Sequence, residues 1–204
     1  MTMRRLIHIP IIHSAVDLGS LSESVKAHYA KVVGQSAWSQ RERAVGELWK
    51  YIGESIQALH LDGQHVRIYQ DALPVCGFEE KIVRELAQAG SCNNQLIMEL
   101  MEQGATLEGT EDPQLLMEEY QMQKQNMQSP AAPDQASERV RQAEHLLNAR
   151  DAYIAKRIDA TLQPGETGMM FLGASHRLDT LSSTDIQLST LGDQSDEAVR
   201  RPGT

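Results

Sequence analysis

Residues 150–176, RDAYIAKRIDATLQPGETGMMFLGASH, decide how the chain is read. Ile154, Ile158 and Leu162 recur at helical spacing up to a Pro164-Gly165 break, and Gly168-Met169-Met170-Phe171-Leu172-Gly173 then forms an unbroken apolar run. A short run of this kind between turn residues is what a strand buried on both faces looks like. Strands buried on both faces belong to parallel sheets covered by helices, so a helix feeding one predicts an α/β fold. The run ends in Gly173-Ala174-Ser175-His176, which sets an imidazole where the strand leaves the sheet.

Working outward, the same alternation recurs. Residues 5–12 are a further short apolar run, closed by His13, and read as the first strand. A helix over about 21–33 follows, stopped by Gly34, and then Trp38, Val45, Trp49, Ile52, Ile56 and Leu59 mark another. His65 to Gln70 is the second strand and ends at Asp71. Residues 78–103 are helical but broken at Gly90-Ser91, where glycine ends one helix and serine caps the next. Residues 105–110 form a weaker strand stopped by Glu111-Asp112-Pro113, with Asp112 placed as a helix N-cap and Pro113 as the first helical residue. Ser129-Pro130-Ala131-Ala132-Pro133-Asp134 is a loop between that helix and the long one over 135–162. The expected architecture is a mostly parallel sheet of about four core strands flanked by helices, forming one domain over residues 1–181. The polar residues 182–204 are expected to be a flexible tail.

Composition narrows the function classes. Nineteen Lys and Arg against 28 Asp and Glu give a formal charge of -9 with the basic residues dispersed, so a nucleic-acid surface is not expected. Two cysteines without a pairing framework suit a reducing interior, and the cytoplasm is the expected location. No segment reaches the ~18 apolar residues of a membrane helix, so no membrane partner is expected.

In open α/β sheets ligands bind beyond the carboxyl ends of the strands. Those exits carry His13, Asp71, Glu111 and Ser175-His176, a convergence of imidazoles and carboxylates. Arg150 and Arg157 lie two turns apart on the long helix; Arg157 reads as an ion-pair partner, Arg150 as a residue able to meet an anionic group or oxyanion, and Asp151 as a solvated neighbour. His13, His176, Asp71 and Glu111 are donors that could hold a divalent metal with a water. The same groups work without metal if one histidine is a general base and a carboxylate fixes its tautomer. Candidate catalytic residues are therefore His13, His176, Glu111 and Arg150. Cys76, in the loop after Pro74, is a weaker candidate nucleophile.

Two segments, IHIPIIHSAVDLGSLSESV at 7–25 and RDAYIAKRIDATL…MMFLGASH at 150–176, resemble the superfamily of TraB/PrgY, Tiki, ChaN and erythromycin-esterase-like proteins. Residues 150–176 are similar to that superfamily's arginine-bearing helix followed by a strand ending in G-x-x-H. The resemblance implies an α/β fold with the two histidine motifs side by side, hydrolase or metallopeptidase activity in some members, and haem binding in others. By position His13 and His176 match the motif histidines and Arg150 the helix arginine. The chain departs from the pattern at Pro10, where glycine would open the first motif, and at Tyr69-Gln70-Asp71, where relatives carry a glutamate. Glu111, Glu118 or Glu119 could supply a substitute carboxylate. The leading expectation is a hydrolase-like enzyme acting on a small-molecule or peptide substrate. The rivals are a ligand-binding or sensor protein, with haem held by the histidines and Tyr69, and an interaction protein using the Met/Gln-rich residues 117–128.

Overall fold

A computed structural model describes residues 3–128, 133–177, 181 and 183–193. Of the loop expected over 129–134, residues 129–132 lie outside the described residues and Pro133 and Asp134 already belong to a helix; of the tail expected over 182–204, residue 182 and those from 194 lie outside the described residues. In chain order the elements are β1 (Arg4–Ile11), α1 (Ser22–Val33), α2 (Gln35–Gln57), β2 (Val66–Gln70), α3 (Glu79–Gln88), α4 (Cys92–Glu102), β3 (Thr106–Glu108), α5 (Pro113–Gln128), α6 (Pro133–Thr161), β4 (Thr167–Gly173) and β5 (Ile186–Thr190). A short 3-10 segment, Val16–Leu21, joins β1 to α1.

The five strands form an all-parallel sheet in the order β3-β2-β4-β1-β5. The apolar run that predicts a doubly buried strand is β4, whose first six residues are all buried. It lies between β1 and β2, so the strand from the far end of the sequence separates the first two. On one face, Ile7, Ile9, Ile68, Met169 and Phe171 pack against Val45, Trp49, Ile52, Val83 and Ile97 from α2, α3 and α4. On the other, Leu6, Tyr69, Met170 and Leu172 pack against Ile154, Ile158 and Leu162 of α6 and the turn after it. Burying two sheet faces is the main stabilising contribution, because apolar area removed from water on both sides offsets the chain entropy lost. The glycine-serine break is present as drawn: Gly90 has φ +99, and Ser91 caps α4 by accepting from the Asn94 amide.

One expectation fails at the carboxyl end. Ile186–Thr190, placed by sequence in a flexible tail, is an edge strand paired with β1 from Arg4↔Ile186 to His8↔Thr190. Its residues are only partly buried, so no apolar run announces it. What fixes it is Arg4, whose guanidinium bonds Asp185 at 2.7 Å and 2.8 Å, and Asp159 of α6 at 2.8 Å. The folded unit therefore continues past residue 181.

Candidate active site

Register places the site. Ile11 of β1 stands opposite Gly173 of β4, and Gln70 of β2 opposite Phe171, so the residues that follow these strands emerge side by side. Asp71, first after β2, is buried, and both its oxygens are engaged. Oδ2 accepts from the Gly173 amide at 2.9 Å and from His13 Nε2 at 3.3 Å; Oδ1 accepts from Arg150 Nη2 at 3.0 Å and faces His176 Nε2 at 3.3 Å. Both strand-exit histidines therefore meet one carboxylate. Gly173 permits this approach: a Cβ there would lie 2.9 Å from Asp71 Oδ2, closer than carbon and oxygen tolerate. The next residue after Asp71, Ala72, has φ +61, and its amide donates to Glu111 Oε1 at 2.7 Å, which holds a left-handed turn unusual for alanine.

Arg150 is the other hub. Its Nε and Nη2 bond the two oxygens of Glu111 at 2.5 Å and 2.7 Å, Nη2 also reaches Asp71, and Nη1 bonds Glu119 of α5 at 2.6 Å. Such a bidentate pair fixes geometry as well as charge. His176 is oriented from behind by Asp151, which accepts from Nδ1 at 2.6 Å and from the Arg177 amide at 3.0 Å. His13 is placed by its own backbone, whose carbonyl accepts from Arg41 of α2 at 2.9 Å.

The electrostatics follow from this packing. Burial pulls the His176 imidazole down, but bonds and charge from Asp71, with Asp151 behind, outweigh it and raise it from 6.5 to about 9. His13 is likewise depressed by burial and raised on balance by Asp71. Burial disfavours the Asp71 carboxylate, yet the two histidines hold it well below the ordinary value. Glu111 goes the other way: burial raises it, Arg150 lowers it, and the net is upward.

A cleft of about 420 Å³ opens over these groups, lined on the sheet side by His13, Asp17, Asp71, Arg150, Ser175 and His176. Its far wall is one face of α5, made of Leu116, Glu119, Tyr120 and Gln123 at helical spacing. His13 is the more open imidazole, with 29% of its side chain exposed against 3% for His176. Asp17, whose oxygens accept from Ser14 and Ser91, ties the segment after His13 to the start of α4.

The expected residues converge, with four changes of role. Glu111 is fully buried and does not line the cleft; it anchors Arg150 instead of meeting substrate. Arg150 presents no spare edge to an oxyanion, since every guanidinium nitrogen is bonded to a carboxylate. Asp151, read as solvated, is buried behind His176. Tyr69 is fully buried on the α6 side with its hydroxyl on Thr161 at 2.8 Å, so it does not line the cleft with the histidines. Arg157 pairs with Glu108 at 3.0 Å and Asp112 caps α5 through the Gln114 amide, both as read from sequence. Cys76 is exposed.

The donors for a metal can be tested directly. Among the described residues Asp71, Glu111 and His176 each bring a ligand atom within 4.8 Å of the others, and His13 is not in that group. Arg150 Nη2 already lies among the three, 2.7 Å from Glu111, 3.0 Å from Asp71 and 3.4 Å from His176. A divalent ion there would face a permanent cation at contact distance, so this donor set does not fit a metal while Arg150 is in place.

Asp151 and the α5 wall of Leu116, Tyr120 and Gln123 complete the site beyond the sequence-derived set, while Glu119, one of the carboxylates offered as a substitute, reaches it through Arg150. Asp151 carries a signal: it shares the buried stripe of α6 with Ile154 and Ile158, at i, i+3 and i+7, where a solvated carboxylate does not belong. Comparison with protein-family models, with curated proteins and with solved structures finds no match to the chain. Among the described residues no helix is long and apolar enough to cross a membrane.

Proposed function

We propose that the cleft is the active site of a hydrolase-like enzyme that activates water without a metal, acting on a small ester or amide. The observation that carries this reading is the single buried carboxylate, Asp71, shared by two histidines of which one opens into the cleft. In this reading Asp71 accepts from Nε2–H of His13 and leaves Nδ1 to take a proton from water, the general-base arrangement of an imidazole steadied by a carboxylate. The imidazolium of His176, fixed by Asp151, and the guanidinium of Arg150 balance the charge on Asp71, and His176 supplies positive charge at the cleft wall as an oxyanion develops. The resemblance of residues 7–25 and 150–176 to the TraB/PrgY, Tiki, ChaN and erythromycin-esterase-like superfamily, in which some members are hydrolases, is consistent with a hydrolase.

The proton inventory gives the pH dependence. His13 must be neutral to act as base and its proton is held above 6.5, while His176 works as a cation up to about 9. Hydrolysis rises with pH on the His13 limb and falls on the His176 limb. The test is hydrolysis of nitrophenyl acetate by chelator-treated protein, comparing wild type with His13→Ala and His176→Ala. Activity that survives chelation and is lost in His13→Ala supports the reading; full activity in both variants removes it.

A further inference from the structure

We infer that Glu119 stands in for a carboxylate of the substrate on Arg150, so that the cleft takes carboxylate-bearing molecules with a small apolar or aromatic body. The inference rests on the cleft being the substrate site and adds the substrate class.

Of the three guanidinium nitrogens of Arg150, Nε and Nη2 are held by Glu111 and Asp71, which the sheet and its turns bury. Nη1 is different, because its partner comes from α5. Glu119 keeps 28% of its side chain exposed, and α5 buries none of its residues over its whole length. That helix also stands off from its neighbour. On its other side, a groove of about 810 Å³ separates Leu115, Met122 and Gln125 from His145 and Leu146 of α6. α5 thus lies between the cleft and this groove, hydrogen-bonded to α6 through Asn126 and Arg139 at 2.8 Å and tied to the site's arginine through Glu119.

Glu119 is the partner that solvent reaches, and Arg150 keeps Glu111 and Asp71 when it leaves, so this pair is worth ~1 kcal/mol and an incoming carboxylate can replace it at little cost. Arg150 then keeps its charge balance, since one carboxylate is exchanged for another on Nη1. Leu116 and Tyr120, on the same face as Glu119, are placed to cover an apolar or aromatic group attached to the incoming carboxylate. Exchange moves Glu119 outward, and α5 with it.

Titration of the full chain with phenylacetate by calorimetry tests this, with benzyl alcohol and benzylamine as neutral and cationic comparisons. Removing the internal competitor in Glu119→Gln and Glu119→Ala is expected to tighten phenylacetate binding about fivefold in each, the factor that matches ~1 kcal/mol, and to leave benzyl alcohol unchanged. Hydrogen exchange is expected to quicken in α5 on phenylacetate addition to wild type and to stay unchanged in β1, β2 and β4. Equal phenylacetate affinity in wild type and both variants, no binding in any, or a preference for benzylamine overturns the inference. Ester hydrolysis that depends on His13 without any effect of Glu119 on binding rejects this inference alone. Tighter phenylacetate binding in the variants of a protein without hydrolysis rejects only the catalytic reading.

Discussion

Asp71 and Arg150 lie 79 residues apart in the chain and meet at 3.0 Å with only 5% of either side chain exposed. Burying a carboxylate and a guanidinium together costs solvation that only good geometry repays. Here Glu111 supplies a further carboxylate and the bidentate geometry. Arg150→Met removes the cation and leaves two buried carboxylates facing each other, so a loss of about 3–5 kcal/mol is expected in urea unfolding. Glu119→Ala, which takes away only the partly exposed partner, is expected to cost about 1 kcal/mol or less. Arg150→Met unfolding within about 1 kcal/mol of wild type would show that the cluster is not buried as described.

Gly173 has a single steric duty. A methyl group there meets Asp71 Oδ2 at 2.9 Å, with His13 Nε2 next at 4.0 Å. Gly173→Ala is expected to push Asp71 off His13 and to lower the His13 pKa toward that of a buried imidazole without a partner. Gly168→Ala crowds Leu6 and Tyr69 in the core and so controls for general damage. Proton NMR titration of the imidazoles separates them: a shifted His13 is expected in the Gly173 variant and an unshifted one in the Gly168 variant.

Asp151 acts on His176 from behind, through Nδ1. Asp151→Asn keeps the size of the side chain but withdraws the negative charge that supports the imidazolium, so the His176 pKa is expected to drop by about one unit or more. The His13 titration should stay nearly where it was, because Asp71 is untouched. An unchanged His176 in this variant would mean that Asp71 alone sets its charge.

The parts of this molecule that can be read from sequence are those written as contiguous pattern. β4 is legible because its apolar run is too short for a helix and is bounded by Pro164-Gly165 and Gly173, and the convergence of His13, Asp71 and His176 follows from each closing a parallel strand. β5 is hidden because an edge strand held by Arg4 and Asp185 has no apolar run of its own. The role of Glu111 escapes the sequence for a related reason. A carboxylate at a strand exit has the same sequence pattern whether it turns toward the cleft or inward to an arginine 39 residues on, and only the fold decides. Asp151 is within reach, since its neighbours on the helix stripe are core residues.

Stability against pH offers the last check, and its direction depends on which group titrates. His176 has a folded value of about 9 against 6.5 for an ordinary imidazole, so it contributes stability that is fully present below pH 6.5 and is lost as pH rises through about 9. Asp71 is held well below 3.8, so its contribution is present above that value and is lost as pH falls through its depressed folded value. The His176 shift corresponds to up to about 3 kcal/mol, a sizeable part of a small domain's total. Urea unfolding should therefore show stability declining from about pH 6.5 toward pH 9 and beyond, with a separate loss on the acid side below 3.8. His176→Gln should flatten the alkaline decline and leave an acid limb, because Asp71 keeps its bonds to Gly173 and Arg150. A wild-type stability that stays level from about pH 6 to 10 would mean that folding does not shift the His176 pKa and that Asp71 does not hold its proton.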